Sequence, residues 1–557
     1  MKTKRFVSTL LALLLICGLP LSAFADNWYL ENGDITVNAT ESGQTVSQGA
    51  QVDVPDSAPV TTQSNSSTPT ENTVTIKAEE NATANVTIQD VNIVISDPSG
   101  SPQNHSGQAA VTIDVADNAS ANVTLDGVKI DVKETGKIWS PPGEAAVQIT
   151  GNGDVTLELD GTNIVQSGAR RAGVEKNTIA ATDPNPGSGN GNLTITDETG
   201  TSGSLESTGG PNGAGIGGGV SGDSSNITIT GNAEVTAQGG QSGAGIGGGA
   251  YGDGSNINIS GGKVTATGGN YGSGIGGGQR GSGSEITISG GTVEANGGEN
   301  DGSGIGGGAY GSGSEITISG TAEVTAKGGN YGSGIGGGFK SSGSNITISQ
   351  DAQVKAQGGK GGNSSSNPNV VYGAGAAVGN GGKSGYSGNL NGAEVQPSTD
   401  RLTPNGKIAY YAPGADMETA DPVRTVIGTY VPPQDEEKPD QPAEESAAEA
   451  VYAAPLYRVV NQDGKDILHS DARQDGVLTI TVDADFASLT GKLGGIQTLK
   501  AQGIDTIVFV TNGATSTFAL VDLLSQGSTG DSYTLTHDGS TVTFTLNNGS
   551  DVSAILQ

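Results

Sequence analysis

The side chains able to do chemistry in this sequence are acids, a few cations and tyrosines, scattered among 94 glycines. Calcium is the first chemistry to test, because Gly-rich repeats can enclose an ion between Asp carboxylates and backbone carbonyls. That motif needs G-G-x-G-x-D at a period of about nine residues. The corresponding positions here are Asp223, Asp253, Ser282, Ser312 and Ser342, so the period is wrong and the aspartate disappears after two copies. No cofactor is expected, and calcium is the one ion the residue types leave open. Polysaccharide cleavage is the second chemistry. A hydrolase needs two positioned carboxylates, and a lyase needs an Arg or Lys base, usually beside calcium ligands. The best remaining candidate is the charged stretch 168–190, with Arg170, Arg171, Glu175, Lys176 and Asp183. These read as a solvated loop between structural repeats, so no catalytic residue is assigned. His105, His469 and His537 lie far apart and suggest neither a metal site nor a triad. The G-x-G-x-x-G matches open no helix, which excludes a dinucleotide site.

Recognition chemistry is better represented. Five residues after each isoleucine of a repeated G-[AS]-G-I-G-G-G heptad stand Ser221, Tyr251, Arg280, Tyr310 and Lys340. Four residues before it stand Asn212, Ser242, Tyr271, Asp301 and Tyr331, with Asn270, Asn300 and Asn330 beside three of them. If the repeats stack in register, these become two edges flanking a flat glycine face. Aromatic rings beside an amide-lined surface suit a glycan, with rings against sugar faces and Asn on hydroxyls. The candidate glycan-binding residues are therefore Tyr251, Tyr271, Arg280, Tyr310, Tyr331, Asn270, Asn300 and Asn330. Alternating Tyr and Arg or Lys could equally reinforce the stack by cation–π contact, at about 0.5–1 kcal/mol each when exposed.

The elements that position these residues follow from the period. The heptad isoleucines Ile216, Ile246, Ile275, Ile305 and Ile335 are 30, 29, 30 and 30 residues apart. Ile227, Ile257, Ile286, Ile316 and Ile346 follow in step, each opening an alternating I-[TN]-I-[TS] strand. Val235, Val264, Val293, Val324 and Val354 come next, in strands such as E-V-T-A. Alternation points Ile and Val inward and Thr, Ser and Asn outward. Three short strands per period predict an all-β, three-sided parallel β-helix with coils of about thirty residues, right-handed by the crossover rule. Each coil adds about 4.8 Å and cannot bury its apolar residues alone. Around the perfect repeats, about 208–357, worn copies such as A-A-V at 109–111 and 145–147, A-G-V at 172–174 and G-A-G-A-A-V at 373–378 extend the solenoid. Residues 26–430 are assigned to it, with caps at both ends, and the Pro/Glu-rich stretch 431–450 to a linker. Residues 451–557 form a small α+β module. Its strands are expected at 477–482 and 506–510, helices at 486–501 and 515–525, and a hairpin at 533–546.

The first 25 residues read as a signal peptide: Lys2, Lys4 and Arg5, an apolar run from Phe6 to Leu21, then Ala23-Phe24-Ala25. Secretion without a transmembrane segment or recognisable anchor is the expected localisation, with surface association left to non-covalent contact. Removing those three cations from the 26 Lys+Arg leaves 23 against 58 Asp+Glu, a net of −35. Nucleic acid is excluded as a partner, because neutralising phosphates takes clustered Lys and Arg. Polyanionic glycans are disfavoured unless a cation bridges them. The sole cysteine, Cys17, lies within the signal, so stability must come from repetitive packing rather than disulfides.

The signal, the opening L-E-N-G-D-I-T-V, the GSGIGGG coils and the 451–557 module resemble secreted or surface β-helix proteins of anaerobic Gram-positive bacteria. Such proteins are often labelled carbohydrate-binding-domain-like, within the pectate-lyase-like solenoid group. The resemblance covers most of 26–430 and implies glycan or cell-surface association without established chemistry. It brings no catalytic motif, and the calcium-binding aspartates of the true lyases are not found here. The expected function is thus a non-enzymatic adhesion or binding protein for a polysaccharide or cell-surface glycan. The alternatives are a purely structural spacer or scaffold and a degenerate polysaccharide-active enzyme.

Overall fold

The computed structural model describes residues 27–96, 109–133, 135–136, 142–178, 189–198, 203–363, 370–386, 390–429, 457–462, 470–474, 476–482, 484–501, 504–527, 531–546 and 550–556. The expected signal peptide and the expected linker lie outside the described residues. The chain divides into two compact units, 1–436 and 437–557.

In the first unit every repeat contributes one strand to each of three sheets. The shortest strands are Ile216–Gly217, Ile246–Gly247, Ile275–Gly276, Ile305–Gly306 and Ile335–Gly336. They stop after two residues, where further glycines turn the chain. A second sheet takes Ile227–Ile229, Gly254–Ile259, Gly283–Ile288, Gly313–Ile318 and Gly343–Ile348. The third takes Glu234–Gln238, Lys263–Thr267, Thr292–Asn296, Glu323–Lys327 and Gln353–Gln357. Each strand pairs in parallel with its counterpart in the next coil, placing isoleucine on isoleucine and valine on valine. The resulting columns are almost fully buried and form one continuous core. Fully burying each such side chain is worth about 1.5–3 kcal/mol, so the columns are what hold a glycine-rich coil in shape.

The same columns run beyond the perfect repeats. Val111, Val147 and Val174 align with one another and then with Ile216. Val378 resumes the column beyond Ile335 after the Gly/Ser-rich stretch 358–369. Both ends of the solenoid are closed, as an open sheet edge requires. At the N-terminal end Ile35–Thr40, Gly43–Gln48 and Gln51–Pro55 form an antiparallel meander. At the other end Lys407–Tyr411 continues the third sheet, and Arg424–Ile427 pairs antiparallel on it. There the Arg424 guanidinium lies 3.7 Å from the Tyr410 ring centroid.

The second unit has its own core, built on Leu478, Ile480, Leu489, Ile507, Phe509, Phe518, Leu535 and Phe544. The hairpin is present as Ser532–Asp538 and Thr541–Leu546. Two helix expectations need correction. Phe486–Lys492 is a strand paired with Ser532–Asp538, and the helix is confined to Leu493–Ala501. Thr515–Ala519 is likewise a strand, with only Leu520–Leu524 helical. In the second case Ser516 and Phe518 are buried alternately, a period of two that decides for strand. His537 is a core residue, with Ser516 Oγ 2.8 Å from Nε2 and Thr511 Oγ1 3.1 Å from Nδ1. Burial lowers its pKa. No helix among the described residues is long and apolar enough to cross a membrane.

Candidate functional site

The glycine heptads are buried in every repeat, which overturns the expectation of an exposed flat face. The turns on either side of each short strand fold over it and bond to one another. Ala250, Gln279 and Ala309 donate their backbone N–H to the carbonyls of Asn212, Ser242 and Tyr271 in the preceding coil, each at 2.8 Å. Phe339 does the same to Asp301 at 2.9 Å. These turns form a second backbone layer outside the short-strand sheet, and the glycines are what let the two layers approach. A Cβ on Gly248 would lie 2.0 Å from the Gly252 carbonyl oxygen. The two expected edges therefore meet above the glycines as one ridge.

Asparagine side chains complete this layer at both ends. Within the stack, Gly249 and Gly278 donate to the carbonyls of Gly222 and Gly252. In the first glycine coil Gly219 donates instead to Asn177 Oδ1 at 2.9 Å. At the far end Gly283 and Gly313 donate to the carbonyls of Ser312 and Ser342, whereas Gly343 donates to Asn380 Oδ1 at 2.9 Å.

The ridge carries the predicted residues unevenly. Tyr251 and Tyr310 stand 55% and 48% exposed, and Arg280, Lys340 and Asn270 are also exposed. Tyr271, Tyr331, Asn300 and Asn330 are half-buried. Arg280 lies 5.7 Å above the Tyr251 ring, and Lys340 lies 5.9 Å above that of Tyr310. Tyr331 stacks on Tyr372 at 4.8 Å, and Phe339 packs against Tyr310, Tyr331 and Tyr372. The structure thus joins Tyr310 and Tyr331 through a cluster sharing Phe339, while Tyr251 stays outside it. Phe339 and Tyr372 escaped the sequence reading. Phe339 did leave a signal, since Val220, Ala250, Gln279 and Ala309 occupy its place in other coils. Tyr372 follows the Gly/Ser-rich stretch, in the lengthened coil between Ile335 and Val378, and has no periodic counterpart.

Asp301 sits beneath this cluster, 8% exposed. Burial pushes its carboxyl up to about 6, while Lys340 pulls the other way. Because the folded pKa lies above the unfolded value of 3.8, the protonated acid contributes stability that is complete below about pH 4 and is lost as pH rises through 6. Asp301→Asn is expected to be more stable than the wild type by about 2–3 kcal/mol at about pH 8, with the gap closing toward about pH 4. Urea unfolding at the two pH values checks this, and an equal gap at both would refute it.

The charged stretch also departs from expectation. Residues 168–178 belong to a coil rather than a solvated loop, and Asp183 lies outside the described residues. Val174–Lys176 is a strand of the short-strand sheet, with Arg171, Glu175 and Lys176 only 3%, 1% and 2% exposed. Arg171 Nη1 donates to Glu175 Oε1 at 2.6 Å, and Arg171 Nε donates to the Gly143 carbonyl at 3.1 Å. Glu175 also accepts from the Ala172 N–H and from Asn177 Nδ2. Lys176 occupies the column position of Ile149 and Ile113, pointing into the core. Its Nζ donates to the Ser225 carbonyl at 2.9 Å. Burial lowers its pKa to about 8, against an upward pull from Asp154.

The two aspartates considered for calcium accept backbone N–H groups. Asp223 Oδ1 accepts the N–H of Asp253, and Asp253 Oδ1 that of Ser282, at 2.8 and 2.6 Å. Glu285 and Glu315 occupy matching places in adjacent strands, both exposed. Among the described residues no group of three or more His, Cys, Asp or Glu is placed to hold a metal ion.

Three parallel sheets closed by this loop layer make the chain a parallel β-helix protein. A family model described as a beta helix repeat matches residues 227–250, 257–279, 286–309 and 316–339. Each matched segment begins at the first isoleucine of a second-sheet strand and ends in the turn beyond the next glycine triplet. No curated protein and no solved structure matches the chain.

Proposed function

We propose that this is an exported, non-enzymatic, surface-associated protein whose solenoid binds a glycan, with the tyrosine ridge as the contact. The observation that carries this reading is the pair Tyr251 and Tyr310, about half exposed in one column of a backbone-bonded scaffold. A ring with a polar edge offers a sugar both an apolar surface and a hydrogen-bonding hydroxyl. Holding such rings on a rigid frame reduces the ordering cost of binding. The non-catalytic reading is supported by Arg171 and Glu175, which are engaged with each other beneath the surface. No cofactor is invoked.

Retention of the full chain on a panel of soluble and insoluble polysaccharides, with and without calcium, tests the reading. Tyr251→Ala/Tyr310→Ala is expected to weaken retention by on the order of ten-fold or more while the circular dichroism spectrum stays unchanged. Equal retention of wild type and double variant would remove the ridge from consideration, and no retention of the wild type would remove the glycan. A structural spacer is the second reading, favoured by the Arg280 and Lys340 contacts on the two rings. It predicts that the same variant melts earlier with retention unaffected.

A further inference from the structure

The exposed column of the ridge has an order as well as a composition. Ser221, Tyr251, Arg280, Tyr310 and Lys340 have φ of 57, 69, 67, 65 and 61°. This is the left-handed region, where glycine is free of strain and a residue with a side chain is not. Glycine is abundant in the same turns, as at Gly278 and Gly281 around Arg280. Rings and charges are therefore kept where the backbone would favour having none, and local strain of this kind gathers at ligand contacts.

Spacing is the second observation. Tyr251, Arg280 and Tyr310 each donate a backbone N–H to the residue before their counterpart in the next coil, at 2.8, 2.7 and 2.9 Å. The side chains thus succeed one another at the strand spacing, about 4.8 Å, and like groups recur at roughly 9.6 Å. An extended chain of equatorially linked pyranose rings advances by about the same step per sugar, so one sugar can lie over each coil.

Charge is the third. Arg280 and Lys340 are exposed, and neither forms an ion pair among the described residues, although Asp301 lies near Lys340. In a chain of net charge −32, two such cations at every second coil of one column are a local exception. Repulsion from distant acids is screened beyond roughly 10 Å, while a contact ion pair is not.

We infer that the ridge takes an extended polysaccharide in which neutral sugars alternate with uronic acids, lying parallel to the solenoid axis. Tyr251 and Tyr310 meet the neutral sugars, and Arg280 and Lys340 meet the carboxylates, with Arg280 able to hold one through two parallel hydrogen bonds. This rests on the glycan reading above and narrows its ligand.

The test uses the full chain and three probes in calorimetry: an unsulfated polymer of alternating glucuronate and N-acetylhexosamine, its carboxyl-reduced form, and a neutral β-1,4-linked homopolymer. The alternating polymer is expected to bind on the order of ten-fold tighter than its reduced form, with the advantage shrinking as salt is added. Arg280→Gln/Lys340→Gln should erase that advantage without altering the melting profile by more than the loss of three cation–π contacts, those of Arg280 on Tyr251 and of Lys340 on Tyr310 and Phe339, and Tyr251→Ala/Tyr310→Ala should weaken both forms. Equal binding of native and reduced polymer, or an advantage that survives Arg280→Gln/Lys340→Gln, overturns the alternation while leaving the glycan reading intact. Silence from all three probes, together with silence across the wider panel, overturns both.

Discussion

Glu175→Ala is expected to destabilise the solenoid by about 3–5 kcal/mol, the largest single-site loss predicted for this chain. The carboxylate is 1% exposed and accepts from Arg171, Ala172 and Asn177. Removing it leaves the Arg171 guanidinium charged and 3% exposed, with Nη2 already lacking a partner among the described residues. It also frees Asn177, whose Oδ1 holds the first glycine coil through Gly219. The cost comes from an uncompensated charge, so removing both partners should cost less than removing one. Arg171→Met/Glu175→Met is therefore expected to recover much of the loss, and a double-mutant cycle from chemical unfolding measures the coupling. If Glu175→Ala melts with the wild type, the pair is not anchoring this coil.

Lys176→Met is expected to act in the opposite direction, raising stability by about 1–3 kcal/mol at neutral pH. Lys176 stands where Ile149 and Ile113 stand in the two preceding coils, so an unbranched apolar side chain continues the column. Its folded pKa of about 8 lies below the ordinary 10.5. The unfolded chain then binds the extra proton more readily, and wild-type stability rises with pH between those two values. Below about pH 8 the charged amine carries a penalty of roughly 3 kcal/mol, partly offset by its bond to the Ser225 carbonyl. The advantage of methionine should therefore fade between pH 8 and 10.5. A variant less stable than wild type at pH 7, or a gap that does not vary with pH, would count against this account.

These two residues also mark the limit of what the sequence discloses. The columns were legible because Ile216, Ile246, Ile275, Ile305 and Ile335 recur at a fixed interval, and the register falls on them. Glycine is different. Its recurrence states only that a side chain is not tolerated, which fits an open face and a close backbone contact equally well. The loop layer over Gly248 is the second case, and it depends on hydrogen bonds between carbonyls and amides that no side-chain pattern encodes. Arg171, Glu175 and Lys176 misled for a related reason, since charge predicts solvent unless its partner is known. Among the site residues, the one-per-coil order of Tyr251, Arg280 and Tyr310 was legible from spacing. The cluster around Phe339 and Tyr372 was not, because Tyr372 lies in the lengthened coil between Ile335 and Val378, outside the period.

Asn177 and Asn380 have a consequence for how such a chain can change length. Each replaces a backbone carbonyl with a side-chain oxygen at one boundary of the glycine stack, and the coils between present nearly identical backbone partners up and down. A coil such as 243–271 consequently offers its neighbours the same backbone bonds as any other coil of the stack. Adding or removing a whole coil would leave both terminating asparagines with their partners. The stack behaves as an adjustable ruler, graduated in steps of about 4.8 Å, whose two end stops are indifferent to how many divisions lie between them.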